Sequence, residues 1–151
     1  MNEGVIEYKE VVEVPKSSKK DIFLKTQIFF ANTFRSAKNV IDLNDPESGI
    51  IIGSGNFIIH PTYLGIPQDE LIRFTIKVEC KDDRYRYTIN SFSNSLHNLN
   101  ELNSYADGTK KNLNTPKKYA IKIINGIDLK INEIINSLKK ETSKTTNEED
   151  F

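Results

Sequence analysis

Residues 72–90 read Ile72-Arg73-Phe74-Thr75-Ile76-Lys77-Val78-Glu79-Cys80-Lys81-Asp82-Asp83-Arg84-Tyr85-Arg86-Tyr87-Thr88-Ile89-Asn90. In the first half, Ile72, Phe74, Ile76, Val78 and Cys80 share one parity, and Arg73, Thr75, Lys77 and Glu79 share the other. A pleated strand sends successive side chains to opposite faces, so this alternation predicts a strand with one dry and one wet side. After Lys81-Asp82-Asp83 the pattern resumes, with Tyr85, Tyr87 and Ile89 set against Arg84, Arg86, Thr88 and Asn90. Aspartates suit tight turns, so the two runs predict an antiparallel hairpin whose sheet needs cover on one face only.

Working outward from this hairpin, three more strands and two helices follow. Between residues 5 and 14, Ile6, Tyr8, Val12 and Val14 alternate with Glu7, Lys9 and Glu13, and Pro15 closes the run. Ser18-Lys19-Lys20-Asp21 has the pattern of a capping box, with aspartate in the place of glutamate. Behind it, Ile22, Phe23, Phe30, Phe34 and Ala37 recur near helical spacing, with Lys25, Gln27 and Asn32 between them, so a first helix is expected to end near Ser36. A short strand over Asn39–Leu43 leads into the turn Asp45-Pro46-Glu47-Ser48-Gly49, then a longer strand over Ile50–Ile59 that contains Gly53 and Gly55. Residues 61–69 and the Asn- and Ser-rich residues 93–114 read as surface loops. Thr115-Pro116 opens a second helix, with threonine at the N-cap and proline at the first helical position. Its stripe is Ala120, Ile123, Ile124, Ile127, Ile131, Ile134, Ile135 and Leu138.

The order is β-α-β-β-β-β-α. Each helix has one apolar stripe and each strand a wet side, which predicts an α+β domain with both helices on one face of an antiparallel sheet. A single domain is expected over residues 1–140, followed by a polar tail at 141–151 that has too little apolar surface to order itself.

Composition narrows the functional classes. The 151 residues carry 21 basic and 21 acidic side chains, and a formal charge of zero argues against a generic polyanion binder. Cys80 is the only cysteine, which excludes an internal disulfide and a multi-cysteine metal site. No apolar run reaches the ~20 residues that a membrane-spanning helix needs.

The candidate chemistry is thin. Gly53-Ser54-Gly55 lies within a strand and does not open a helix, so it reads as room for a crossing helix and not as a phosphate cradle. His60 stands beside a loop and His97 within one, with no spacing that gathers metal ligands or a serine–histidine pair. Asp82 and Asp83 read as turn formers. No catalytic residue, metal site or cofactor is assigned, and the chain reads as a non-enzyme. The informative oddity is strand 50–59: if Ile51, Gly53, Gly55 and Phe57 face the helices, Ile50, Ile52 and Ile58 face outward, whereas a bulge at the glycines would reverse the phase and bury them. Facing outward, they join Arg73, Lys77, Arg84 and Arg86. This open face is the candidate binding surface for another protein or a second copy of the chain; a nucleic-acid partner for the same face is the disfavoured alternative, and an enzyme site in 93–114 a third.

The element order is similar to one repeat of the TATA-box-binding-protein-like (TBP-like) fold. Local sequence also resembles a bacterial family of domains of unknown function, family 4468, described as having that fold. The matching stretches are Ser18 to Phe34; Ser36-Ala37-Lys38-Asn39-Val40-Ile41; Asp45 through Gly49-Ile50-Ile51-Ile52-Gly53-Ser54-Gly55; and Lys81-Asp82-Asp83-Arg84-Tyr85-Arg86-Tyr87. They cover about residues 5–95. The resemblance implies a bacterial protein from a family with many exported members, and it carries no activity or catalytic residues. A periplasmic or envelope location is expected where an export signal precedes the sequence, and a cytoplasmic one otherwise.

Overall fold

The computed structural model describes residues 5–34, 40–94, 99–106, 108 and 116–145, apart from the side chains at 40, 102 and 105. Its main sheet is formed by β1 (Tyr8–Glu13), β2 (Val40–Asp45), β3 (Ile50–Ile59), β6 (Glu70–Lys81) and β7 (Arg84–Ser93). The strand order is β1-β7-β6-β3-β2, and every neighbouring pair is antiparallel. The predicted alternation holds along β6. Ile72, Phe74, Ile76, Val78 and Cys80 are buried, and their partners across the ladder, Tyr85, Tyr87 and Ile89, are buried beside them.

Helices α1 (Lys19–Thr33) and α3 (Lys117–Thr142) cover that buried face. Ser18 caps α1, its Oγ accepting the Asp21 amide at 3.1 Å. Ile22, Phe23 and Phe30 are buried as the spacing predicts, and Phe34 is half-buried; Ala37 lies outside the described residues. Thr26 and Phe29 are buried as well. Lys25, read as part of the polar side, is also enclosed, because its ammonium pairs with Asp21 at 3.0 Å and donates to the Lys144 carbonyl. The stripe of α3 is buried at Ala120, Ile123, Ile127, Ile131, Ile134, Ile135 and Leu138. Pro116 stands at the N-cap with no side-chain capping bond, while Thr115 lies outside the described residues.

Three features depart from the sequence reading. Residues 93–114 are not all loop: α2 (Leu99–Ala106) packs on α3 and β7, with Leu99 and Asn103 buried, and Asn100 Oδ1 accepts the Ile6 amide at 2.9 Å. Residues 61–69 contain a small hairpin, β4 (Thr62–Tyr63) with β5 (Ile66–Pro67). Finally, α3 passes residue 140: the Thr142 hydroxyl is buried 3.0 Å from that of Tyr85, so the ordered domain includes it. Residues 146–151 of the expected tail lie outside the described set.

An aromatic row crosses the covered face from Tyr8 on β1 through Phe92 on β7 and Phe74 on β6 to Phe57 on β3, with centroid separations of 6.0, 6.1 and 5.6 Å. Phe34, at the end of α1, joins it 5.9 Å from Phe74. Gly55 makes this possible, since a Cβ there would stand 2.7 Å from the Phe34 ring and 2.8 Å from that of Phe74. Such ring pairs add about 0.5–1.5 kcal/mol each beyond the area they bury. Glu10 shares the covered parity but lies at its rim, where it accepts from the Tyr87 hydroxyl at 2.8 Å and pairs with Lys139.

Gly49 closes the turn into β3. Its amide donates to the Asp45 carbonyl, its own carbonyl accepts the Cys80 amide, and its φ is +75°. A Cβ at Gly49 would lie 2.6 Å from the Cys80 carbonyl oxygen, whereas one at Gly65 (φ +78°) would meet nothing within 4 Å. Gly65→Ala is therefore expected to cost only the left-handed conformation, about 1 kcal/mol. Gly49→Ala adds a backbone collision and is expected to cost about 2 kcal/mol or more. Urea unfolding midpoints of the two variants measure the difference.

Candidate functional site: the open sheet face

Unbroken register between β3 and β6, from Ile50 opposite Glu79 to Ile59 opposite Glu70, fixes which side chains look away from the helices. Ile51, Gly53, Gly55, Phe57 and Ile59 are buried on the helix side, so Ile50, Ile52, Ser54, Asn56 and Ile58 occupy the far side. No irregularity at the glycines reverses the phase. Bulges occur instead in β2 between Ile41 and Leu43, and where β7 pairs with β6 between Arg73 and Thr75. The helices α1, α2 and α3 all pack on the covered side, which leaves the opposite face open among the described residues.

The ladder sorts this face into rows. One row runs Asp45, Ile50, Glu79, Arg86, Val11, and the next runs Leu43, Ile52, Lys77, Thr88, Lys9. All seven candidate residues lie on this face, but they do not form a continuous apolar strip. Ile50, Ile52 and the edge residue Leu43 make one apolar cluster. Ser54 and Asn56 separate it from Ile58, which is 53% exposed and stands opposite Leu71. Ile52 and Ile58 are six residue steps apart along the strand, ~20 Å. Leu43 was not singled out from the sequence, because its phase depends on the bulge at Asp42, whose carboxylate accepts from the Ser54 hydroxyl at 2.8 Å.

The basic residues divide in two. Arg86 makes a bidentate contact with Glu79 at 3.0 and 3.1 Å, and Lys77 approaches the same carboxylate at 3.5 Å. The Arg86 guanidinium is the main cause of the lowered pKa of Glu79, outweighing the partial burial that opposes it. No side-chain partner engages Arg73 or Arg84 among the described residues. A shallow depression of about 240 Å³ lies beside this cluster, lined by Val11, Glu79, Lys81, Arg84 and Arg86.

Other groups with chemical potential are dispersed. His60 Nδ1 lies 2.8 Å from Asp69 Oδ1 at the exposed end of β3, and no hydroxyl or thiol is hydrogen-bonded to that ring among the described residues. His97 lies outside them. Among the described residues no three His, Cys, Asp or Glu side chains gather as a metal site would require. Cys80 is buried on the helix side, 3.7 Å from the Thr26 hydroxyl, and burial pushes its thiol up to about 11. Asp82 accepts the Lys19 amide at 2.8 Å and Asp83 takes φ +65°, so both serve the turn. A larger cleft, about 510 Å³, opens between α1 and α3 over Phe34, Phe57 and Phe74, with Lys130, Lys140 and Lys144 at its rim. No pattern in the sequence signals this cleft, since it depends on how the two helices are placed. No helix of the described residues is long and apolar enough to cross a membrane.

Residues 8–95 match a family described as a domain of unknown function (DUF4468) with TBP-like fold. The chain belongs to that family. Two crystal structures support the fold assignment for the DUF4468 chain over nearly its whole length. A TBP-like protein from Parabacteroides distasonis superposes with a TM-score of 0.79 at 11% identity, covering 96% of this chain and 97% of that one. A DUF4468 family protein from Bacteroides ovatus gives 0.76 at 14% identity, covering 97% and 92%. At such identities the likeness is one of fold. Comparison with curated proteins finds no match.

Two measurements test this geometry. With its folded pKa below the ordinary glutamate value of about 4.3, Glu79 contributes stability above that value that is lost as pH falls through the folded pKa. In an NMR titration, Arg86→Ala is expected to move the Glu79 carboxyl upward. Cys80 is expected to resist Ellman's reagent in the folded protein at about pH 8 and to react fully in urea; fast labelling of folded protein contradicts its placement.

Proposed function

We propose that this domain is a non-enzymatic binding or assembly module of the bacterial cell envelope that docks another protein on its open sheet face. The observation that carries the reading is the phase of β3, which turns Ile50, Ile52 and Ile58 away from a core that has room for aliphatic side chains only on the other side. Apolar anchors among partly neutralised charges match the composition of protein interfaces, where a few buried side chains supply most of the affinity. The envelope location rests on the resemblance to a bacterial family with many exported members. A nucleic-acid reading is weaker, because Glu79 already occupies Arg86 and Lys77, and a phosphate would have to displace it. A catalytic role for 93–114 is weaker still, since most of the described part of that segment is α2, whose Leu99 and Asn103 are committed to packing.

The test places a photo-crosslinking amino acid at Ser54 or Thr88 on the face, and at Asn136 on the outer side of α3, in the bacterium of origin. Protein adducts are expected from Ser54 and Thr88 and not from Asn136. Ile52→Lys is expected to reduce their yield at least ~tenfold, the loss of one anchor. Equal adducts from all three sites, or a salt-steep shift of DNA mobility that Ile52→Lys leaves intact, contradict the reading.

A further inference from the structure

The end of the molecule beyond Ile59 presents apolar side chains where loop tips are ordinarily polar. In the β4–β5 hairpin, Leu64 (φ +51°) and Gly65 (φ +78°) both adopt the left-handed region. A two-residue turn of this kind favours Asn-Gly, so a leucine is the less comfortable residue for both backbone and solvation. Leu64 is nonetheless 85% exposed, and Ile66 is 64% exposed. The stem below the tip is tied to the rest of the domain. The Tyr63 ring meets Tyr119 edge-on at 5.8 Å, Lys122 donates to the carbonyl and hydroxyl of Thr62 at 3.0 and 2.8 Å, and the Gln68 amide donates to the Pro61 carbonyl at 2.8 Å.

Beside this knob lies a hollow. A groove of about 470 Å³ runs between the hairpin stem at Pro61 and Thr62 and the α3 residues Gly126, Leu129 and Glu133, with Ile59 in its floor. Leu129 is 70% exposed there. A projecting apolar tip and an adjacent apolar groove on one molecule have the arrangement that a two-fold axis converts into a closed, self-complementary contact, because each tip then reaches the other copy's groove.

Charge agrees with a second copy as the occupant. A two-fold contact brings like groups together, so unpaired charges of one sign would repel. Here the signs balance: Lys122 and Lys130 stand at the groove with Glu133, and Asp69 lies beside it against His60, so two copies meeting at this end bring no excess of one sign together. A lipid surface fits less well, since membrane-seeking tips are flanked by basic residues and this one leads into Asp69 and Glu70. We propose that two copies of the chain associate through this end, each Leu64–Ile66 tip seated in the other's Ile59–Leu129 groove. This surface lies apart from Ile52 and Ser54, so the inference stands independently of the proposed sheet-face partner.

Light scattering and sedimentation from micromolar to millimolar concentration test it. The mass is expected to rise from 17.3 kDa to a plateau at twice that value. Leu64→Asn, which suits the turn and leaves the monomer fold intact by thermal unfolding, is expected to weaken the dimer at least ~tenfold. Leu129→Lys, in the groove, is expected to do the same, and Ile52→Lys to leave the dimer unchanged. A mass that stays at the monomer value, a dimer insensitive to Leu64→Asn, or growth beyond a dimer overturns the proposal.

Discussion

A residue in a pleated strand has two sides to choose from, and in β6 the choice is made five times in the same direction. Ile72, Phe74, Ile76, Val78 and Cys80 must all leave water together, and a slip of one residue would expose all five while burying Arg73, Lys77 and Glu79. As the central strand, β6 passes this phase on through its ladders. On one side it sets Ile51, Gly55 and Phe57 beneath the helices; on the other it sets Tyr85, Tyr87 and Ile89. The isoleucine stripe of α3 and the phenylalanines of α1 then have one apolar surface on which to close.

The open face is the remainder of that arrangement. Its charges were selected against burial, so they gather where no helix lies, and the ladder brings Glu79 between Arg86 and Lys77. Screening by water keeps the energetic value of such exposed pairs small. Their larger effect is on the potential of the surface: Arg73 and Arg84 remain as separated positive points, while the isoleucines lie toward the β2 edge. The face thus mixes apolar and charged points, which suits a protein surface of mixed character better than a uniformly charged polymer.

What the sequence made legible follows from periodicity. Strands β1, β3, β6 and β7 and the stripe of α3 have long, regular patterns, and their faces could be read directly. The outward phase of Ile50, Ile52 and Ile58 was legible only on condition that Gly53 and Gly55 hold no bulge, a condition that the unbroken β3–β6 register meets. Where period was absent, the reading fell short. The β4–β5 hairpin has two residues per strand, too few for alternation to register. Helix α2 is rich in Asn and Ser, residues whose side chains compete with the helical backbone; it is held by the burial of Leu99 and by the bond from Ile6 to Asn100, both tertiary. Lys25 looked solvent-facing by type, although Asp21 four residues earlier was the visible hint that its charge had a partner. Leu43 could not be assigned to a face, because one extra residue in β2 changes its phase.

The β6–β7 turn is clasped by the linker between β1 and α1: Val14 donates to the Asp83 carbonyl, Asp83 to the Ser17 carbonyl, and Lys19 to the Asp82 carboxylate. Among the described residues β1 pairs with β7 alone, Tyr8 opposite Ile89 and Glu13 opposite Arg84. During synthesis β1 leaves the ribosome before β7, so it stays without this ladder partner until the central hairpin has emerged. Its Lys9, Glu10 and Glu13 keep it charged in that interval, and its pairing with β7 is a contact of long sequence separation, the class that folding closes slowly.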